Sequence, residues 1–575
     1  MSVERRSPSI ETRSLLNERP PSYHSTDDVN RTPRSPSISA PDPPPINQFS
    51  RGDICWILAG LWSGVLLGAF DGTVVATLLT PIGSEFKASN QSSYIGTAYL
   101  LSVCCFTPLY GRLADILGRK GAMLLALSLF GSGTIFCGMA QSMNALIAAR
   151  AVAGMGGGGV MTGKYHMSLE YCRHRPYTTR GLYQGMANIL YGLGAALGGP
   201  LGGWVNDMFG WRSAFYMQAP LLAFSFIVVA TKVNIRLPDT VQNQSLSDKL
   251  RRIDFLGSIT LVGAVGCLLL GLSLKSTEDM LWTHPLIIAL LLASAFFLAF
   301  FILVEKYWAL YPAMPLRLVT QRTPLAVSLS NLLISMAVFS MLYNAPIFFA
   351  AVRLDSATVA GMRLLPHSIA IPTGSVFAGW FMRRTGKLYN LTVVSSVMTV
   401  LASILASRWS EGTPAFYLWA DLIPQGFGMA SFITTTLIAM IAGVYKEDMA
   451  VATGITYLFR TTGQVLGVSL GGTILQAVLL RKLRSRIQGE GSTDLIYRIQ
   501  HSTQIIPTLE PHLRKAAVDS YADALRVVFI FQAALGFLGF LACLPIQESA
   551  LPGSREEQEQ HYRNQENAES GSERN

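Results

Sequence analysis

Long apolar segments separated by short polar loops occupy the chain between about residue 54 and residue 546. Each segment is apolar on every face and has about 20 residues, the length with which a helix crosses roughly 30 Å of hydrocarbon. Such segments lie at residues 54–80, 92–110, 120–140, 143–163, 181–204, 211–231, 253–274, 284–304, 325–350, 358–381, 388–406, 415–444, 453–480 and 524–546. The pattern therefore predicts an all-α, multi-pass membrane protein with 14 transmembrane helices.

Composition and charge agree with a membrane protein. Half of the 575 residues are hydrophobic and 14% are charged, whereas about 25% of residues are charged in soluble domains. The net charge of +10 comes from lysine and arginine clusters between apolar segments, and no basic, aromatic groove for nucleic acid emerges. Clusters in the first tail and near residues 112–120, 232–252 and 383–387 place both termini in the cytosol. The cluster at 481–486 falls on the other side, in a long loop where this charge rule is weak.

The chain also repeats itself. GAALGGPLGG at 194–203 aligns with GQVLGVSLGG at 463–472, and GRLADILGRK from Gly111 aligns with GWFMRRTGK from Gly379 at nearly the same offset. We therefore predict two six-helix bundles, 53–231 and 325–546, separated by a linker with a two-helix insertion, 232–324. Residues 1–52 and 547–575 are predicted to be disordered cytosolic tails. Paired helical halves are typical of secondary transporters.

Four ionisable residues interrupt the apolar segments: Asp71, Arg150, Asp421 and Arg460. Such a side chain costs at least about 2.5–3.5 kcal/mol in hydrocarbon, so it usually faces a cavity or a partner. Asp71 is the first candidate for a proton-binding carboxylate, and the charge of Arg150 would bias its titration. The alternative for Arg150 is a fixed salt bridge or a carbonyl clamp. For Asp421 and Arg460 the alternative is a position near a helix end, within reach of interfacial water.

Two local motifs add candidate functional residues. The loop YGRLADILGRKGA offers glycines for a tight turn and charges that can bridge two halves on the cytosolic face, or that only determine topology; its members are Gly111, Arg112, Asp115, Gly118, Arg119 and Lys120. A second motif places Gly194, Gly198 and Gly202 on one helix face, where two backbones can pack and slide, and Pro200 interrupts a backbone hydrogen bond there.

Enzymatic function is not indicated. Gly154, Gly156 and Gly159 form G-x-G-x-x-G, but the motif follows no short strand and no acidic residue stands at the required distance, so close helix packing explains it better than a dinucleotide. We find no nucleophile–base pair, metal cluster or phosphate loop, and we expect no metal and no cofactor.

These motifs resemble those of a known family. The loop GRLADILGRK resembles the signature loop of the major facilitator superfamily, and FDGTVVATLLTPI at 70–82 resembles the first-helix motif of its drug:proton antiporter branch. The predicted helix count is that of the fourteen-spanner branch. Within it, GLGAALGGPLGGW and RLLPHSIAIPTGSVFAGWFMRRTGK are similar to fungal vacuolar basic amino acid transporters and their multidrug-resistance relatives.

The resemblance implies a proton-driven antiporter without a cofactor that moves lysine, histidine and arginine from the cytosol into the vacuole. It also implies that the glycine helix of Gly194, Gly198, Pro200 and Gly202 is tied to antiport. The partners would be a small cationic substrate, protons and membrane lipid. Two alternatives remain open: a plasma-membrane efflux pump for drugs or toxins, and a nutrient sensor that does not transport.

Two further features concern the location of the protein in the cell and a break in the family pattern of the sequence. ETRSLL in the first tail resembles an acidic dileucine sorting signal for delivery to vacuoles, with Glu11, Leu15 and Leu16 as the residues that an adaptor would bind. The polar stretch 163–180 departs from the family pattern at the end of the fourth predicted helix. Our hypothesis is that it reflects a gene-model or splicing alteration, which sequencing of the transcript would test.

Overall fold

A computed structural model describes residues 51–171, 177–233, 255–277, 283–308, 318, 320–444, 449–489 and 491–548. Within these ranges the chain forms helices and turns, and no strand occurs. Most of each predicted tail, including Glu11, Leu15 and Leu16, lies outside the described residues. The tail bounds were wrong by two residues at each end, because α1 begins at Arg51 and Gln547 and Glu548 make ordered hydrogen bonds. The side chains of Arg112 and Asp115, and the surroundings of Gly111, also lie outside the described part of the chain.

The first half begins with five long helices and a broken sixth. Their bounds are α1 Arg51–Glu85, α2 Ser92–Ile116, α3 Gly118–Met139, α4 Met143–Tyr171, α5 Tyr177–Phe209, α6 Trp211–Tyr216 and α7 Ala219–Lys232. Gly118 and Gly210 adopt positive φ angles of 77° and 82°, which L side chains rarely adopt. They permit the sharp turns from α2 to α3 and from α5 to α6.

Two helices connect the halves. They are α8 Phe255–Thr277 and α9 Pro285–Leu303, and a π-helical turn, Val304–Trp308, extends α9. Proline at the first position of α9 suits a helix start because no backbone donor is needed there. The two helices pack against each other, and α8 also contacts α2 of the first half.

The second half contains the remaining helices, several of them broken. Their bounds are α10 Arg322–Ala351, α11 Ala357–Arg363, α12 Leu365–Thr385, α13 Tyr389–Ala406, α14 Ala415–Ala420, α15 Ile423–Ala442, α16 Met449–Arg486, α17 Ser492–His501 and α18 Pro511–Cys543. The breaks at Leu364 and Leu422 lie next to prolines at the starts of α12 and α15, which cannot donate the next backbone hydrogen bond.

Every predicted apolar segment coincides with one helix or with two consecutive helices. Nine helical segments in the described part of the chain are long and apolar enough to cross a membrane, so the all-helical, multi-pass character is confirmed. The count of fourteen crossings stays a prediction. Boundaries differ mainly at two places: α4 continues through the polar stretch to Tyr171, and α18 begins at Pro511, well before residue 524.

Glycines allow the helices of the first half to pack closely. A Cβ on Gly154 would clash with the carbonyl of Tyr99 on α2, and one on Gly156 would clash with the backbone of Phe130 on α3. The glycine motif on α4 therefore serves helix packing, as expected from its apolar context. This packing positions α4 and its Arg150 beside α1 and α2.

Candidate functional site

A buried ion pair joins α1 to α4. Arg150 Nη1 lies 2.7 Å from Asp71 Oδ2, and both side chains have 0% exposure. Arg150 Nε donates a 3.4 Å hydrogen bond to the carbonyl oxygen of Ile95, and the guanidinium lies 4.1 Å from the centroid of the Tyr99 ring. The structure thus brings together Asp71 and Arg150, two of the residues predicted from sequence. Helix α2 packs against Arg150 through Ile95 and Tyr99.

The pair keeps unused hydrogen-bonding capacity. Asp71 Oδ1 and Arg150 Nη2 are buried and have no hydrogen-bond partner among the described residues. Buried charged groups are normally satisfied, and an unpaired atom of this kind needs an explanation such as an additional ligand or water. One acceptor and one donor are therefore available at a single buried site, where a proton or a polar group of a substrate can bind.

The glycine helix α5 packs directly on α1 beside this pair. A Cβ on Gly194 would clash with the Leu66 carbonyl, and one on Gly198 would lie 2.6 Å from the carbonyl oxygen of Phe70, the residue before Asp71. Gly202 packs less tightly, against Val74. The face predicted from sequence therefore carries the backbone-to-backbone contact that positions Asp71.

A different face of α5 contacts the second half. A Cβ on Gly203 would clash with the backbone of Ala357, and one on Gly199 would lie 2.9 Å from the Gly361 carbonyl oxygen. Asp207, near the end of α5, accepts a 3.1 Å hydrogen bond from the backbone N–H of Thr358 and another from its hydroxyl. Since α1 and α5 end on this side, the halves meet at the end of the bundle opposite the start of α1.

The second half repeats the glycine contact. On α16, Gly463 packs on the Leu332 carbonyl and Gly467 on the Met336 carbonyl of α10, as Gly194 and Gly198 pack on α1. These contacts align Leu66 with Leu332 and Phe70 with Met336. The residue that corresponds to Asp71 is therefore Ala337, which is buried and uncharged.

The other two predicted charges lie in the second half. Asp421 follows the last residue of α14 and accepts a 2.9 Å hydrogen bond from Trp409 Nε1. Trp409 in turn packs on Phe348. Arg460 is half-buried on α16, with its guanidinium 4.0 Å from the centroid of the Tyr457 ring. The structure thus gives both residues partners in the second half, while Asp71 is paired in the first.

The predicted cytosolic gate loop spans the junction of α2 and α3. Gly118 makes the turn with its positive φ, and Arg119 and Lys120 begin α3 in half-buried positions. Gly111, Arg112 and Asp115 lie on the last turns of α2. The gating role of the loop stays a prediction.

Sequence reasoning missed the neutral members of the site. Tyr99 and the carbonyl of Ile95 hold Arg150, and Tyr343 of α10 packs against Gly96, next to Ile95. A tyrosine in an apolar helix carries no penalty that would single it out. The available signal was spacing, because Ile95 and Tyr99 are four residues apart and so share one face of α2.

Comparison with known proteins identifies the family. The Major Facilitator Superfamily profile matches residues 61–320. Multidrug resistance protein fnx1 of Schizosaccharomyces pombe is 38% identical over 496 residues, which are 86% of this chain and 92% of that protein. The chain belongs to the major facilitator superfamily. It is accordingly a member of a family of membrane transporters rather than of enzymes.

Other relatives within the superfamily carry vacuolar names. The vacuolar membrane amino acid uptake transporter fnx2 of S. pombe is 32% identical, over 91% of each chain. Vacuolar basic amino acid transporter 2 of Saccharomyces cerevisiae is 30% identical, over 81% of this chain and 99% of that one. Together with the membrane-spanning helices, these relatives indicate a multi-pass vacuolar membrane protein.

Solved structures support the fold. A bacterial homolog of the human lysosomal transporter Spinster, in an inward-facing and unoccupied conformation, has a TM-score of 0.57 and 15% identity, and the match covers 87% of this chain and 98% of that one. At this level of identity the likeness concerns the fold alone.

Proposed function

We propose that this member of the major facilitator superfamily is a proton-coupled antiporter that moves basic amino acids from the cytosol into the vacuole by alternating access. The observation that carries the proposal is the fully buried Asp71–Arg150 pair, which retains one free carboxylate oxygen and one free guanidinium nitrogen. Relatives named as vacuolar basic amino acid transporters support the choice of cargo.

The pair can exchange a proton for a cation. When Asp71 is ionised, its free oxygen attracts the ammonium or guanidinium group of a basic amino acid. When Asp71 takes up a proton, the carboxyl group becomes neutral and the charge of Arg150 is no longer balanced, so a bound cation is repelled. Proton and cargo therefore compete for one carboxylate, which is the requirement for antiport, and no cofactor enters.

The packing of α5 and α16 suits a rocking movement. Each helix uses glycines to contact the first helix of its own half, and both also reach the other half, α5 at Ala357 and α16 through Gly472 against Ser93. Backbone surfaces without side chains can slide at small steric cost. We include in this proposal fourteen spans, cytosolic termini, the gate loop of residues 111–120, and coupling roles for Asp421 and Arg460.

A second candidate is a plasma-membrane efflux pump for drugs or toxins. The similarity to a multidrug resistance protein over 92% of that protein's length favours it, and the same ion pair would serve proton-driven export of a cationic drug. The two candidates differ in location. Replacing Leu15 and Leu16 by alanine should move a vacuolar protein to another membrane if an adaptor reads the tail.

The deciding experiment is uptake of labelled lysine, histidine and arginine by isolated vacuolar vesicles energised with ATP. We expect accumulation that an uncoupler abolishes and that is lost in Asp71→Asn. Asp523→Asn is a matched control, because Asp523 is also salt-bridged, to Lys482 and Arg486, but is partly exposed. Accumulation of a dye or an antifungal, and of none of the three amino acids, would favour the efflux pump.

A further inference from the structure

A small cavity, whose wall is mostly apolar, lies between the two halves, at the end of the bundle where α1 and α5 end. Its walls come from α1, from the short 3-10 helix Ser89–Gln91, from the start of α2, and from α10 and α16. It therefore opens onto the contact between the first and the second half. In the proposed topology this end faces the vacuolar lumen.

Polar side chains interrupt the mostly apolar wall of the cavity. Ser89 Oγ, Asn90 Oδ1 and Gln476 Oε1 line it, are buried, and have no hydrogen-bond partner among the residues that the structure describes. The volume of the cavity is about 20 Å³, and roughly 10–15 Å³ on this measure holds one water. Buried polar atoms without protein partners are normally satisfied by such waters. The cavity therefore suits one or two water molecules and is too small for an amino acid.

Tyr343 separates this cavity from the ion pair. Its ring forms part of the cavity wall, and it packs so tightly on α2 that a Cβ on Gly96 would clash with it. The residue before Gly96 is Ile95, whose carbonyl holds Arg150. Tyr343 thus lines a water-sized space and also packs on the part of α2 that holds Arg150.

We propose that the cavity is the inner end of the luminal proton path and that Tyr343 closes this path in the present conformation. The proposal rests on the proton coupling of the proposed function, but not on the identity of the cargo. When α10 moves relative to α2, the ring leaves Gly96 and water reaches Asp71 Oδ1. A hydronium ion then transfers its proton to the carboxylate, which becomes a neutral carboxyl group, and a water molecule remains.

Closure by Tyr343 has a physical purpose. In alternating access the carboxylate must not be open to both compartments, because protons would then cross without cargo. A tightly packed aromatic ring excludes water, and such a constriction stops a water-filled path. The absence of a Cβ on Gly96 is what allows the ring to approach the backbone of α2.

The test measures proton flux without cargo. Purified full-length protein is reconstituted in liposomes with an imposed pH gradient, and the decay of the gradient is followed with a pH-sensitive dye. Tyr343→Ala removes the ring, and we expect the proton leak to rise about tenfold as the constriction becomes hydrated. Tyr343→Phe keeps the ring and should keep the low leak of the wild type.

Tyr110→Ala is the matched control. Tyr110 is also buried and also packs on a glycine, Gly159 of α4, but it lies within the first half and does not line the cavity. Its replacement removes the same atoms and should leave the leak at the wild-type level. A leak in Tyr110→Ala equal to that in Tyr343→Ala would overturn the proposal, because the leak would then report general loosening.

A second-site change tests the path itself. Gln476→Met replaces a side chain whose Oε1 has no hydrogen-bond partner among the described residues by an apolar side chain of similar length. In the Tyr343→Ala background it should reduce the leak several-fold. Potassium flux should stay low in every variant. An unchanged leak in Tyr343→Ala, or a leak in it that Gln476→Met does not reduce, would contradict the proposal.

This assay is distinguishable from the test of function because it contains no amino acid. If wild-type vesicles accumulate lysine at the expense of the proton gradient while Tyr343→Ala shows no leak, the proton path is wrong and the function stands. If a drug replaces lysine as the cargo while Tyr343→Ala leaks through the cavity, the path stands and the proposed cargo is wrong.

Discussion

The two halves of the molecule have the same backbone contact and different chemistry at its centre. In both, glycines four residues apart pack on the carbonyls of the first helix: Gly194 and Gly198 in one half, Gly463 and Gly467 in the other. At the aligned position the first half has Asp71, paired with a buried arginine, and the second has Ala337.

Neutral polar groups take the place of charges nearby in the second half. Gln532 Nε2 donates a 2.9 Å hydrogen bond to Ser340 Oγ on α10, one turn beyond Ala337. A neutral bond avoids the several kcal/mol per ion that desolvation of a buried pair costs. The comparison indicates that both halves have the same glycine packing surface, whereas the buried carboxylate on this surface belongs to one half.

Removal of Arg150 should give the largest effect, because it destroys the ion pair that distinguishes the first half from the second. Arg150→Met leaves the Asp71 carboxylate buried without its partner, and losing one member of a buried pair costs about 3–5 kcal/mol. We expect a strongly reduced yield and a lower unfolding temperature for a fluorescent fusion in detergent. Adding Asp71→Asn should restore much of the stability but no transport. Wild-type stability of Arg150→Met alone would show that the buried Asp71 carboxylate does not depend on Arg150 as its partner.

Glycine substitutions test whether the two glycine packing surfaces are functionally equivalent. Gly198→Ala and Gly467→Ala each place a Cβ against the backbone of the first helix, and overpacking of this kind costs about 1–3 kcal/mol. Both variants should lose most uptake. Gly454→Ala on α16, where a Cβ meets open space, is the control and should transport normally. A defect in Gly198→Ala only would confine the moving surface to the first half.

The two buried aspartates offer a sharper comparison. Asp71→Asn should abolish proton-driven uptake, since an amide cannot take up the proton. Asp421→Asn keeps an oxygen that accepts from Trp409 and removes only the charge, so a purely structural role predicts a stability change within about 1 kcal/mol and nearly normal uptake. Loss of coupling in Asp421→Asn, measured by lysine accumulation at different pH gradients, would assign coupling to both halves.

Breaking the contact between the halves should give the smallest effect. Thr358→Val removes the hydroxyl that donates to Asp207 and keeps the backbone N–H donor. Loss of one such hydrogen bond costs about 0.5–1.5 kcal/mol, which shifts the conformational equilibrium toward the state open on this side. Labelling of a cysteine placed in the cavity wall should become several-fold faster. Labelling at the wild-type rate would mean that other contacts hold the halves together.

Part of the candidate site could be predicted from sequence because a charge in an apolar helix is costly wherever that helix packs. This argument selected Asp71 as the first candidate and Arg150 beside it, which form a pair, and it also selected Asp421, with a position near a helix end as the alternative. The structure places Asp421 beyond the last residue of α14, beside Trp409. Sequence periodicity does not reveal the contact with Trp409, because it depends on how the loop after α13 folds back onto the carboxylate.

The sequence by itself determined the helical, membrane-embedded class, the positions of the apolar segments and the glycine repeat, because each depends on neighbours along the chain. The tertiary structure decided which residues meet: Asp71 with Arg150, Gly198 with Phe70, and Tyr343 with Gly96 beside a small cavity. These contacts join residues on different helices. Their geometry follows from how side chains and backbones fill space between helices, which no local pattern of hydrophobicity records.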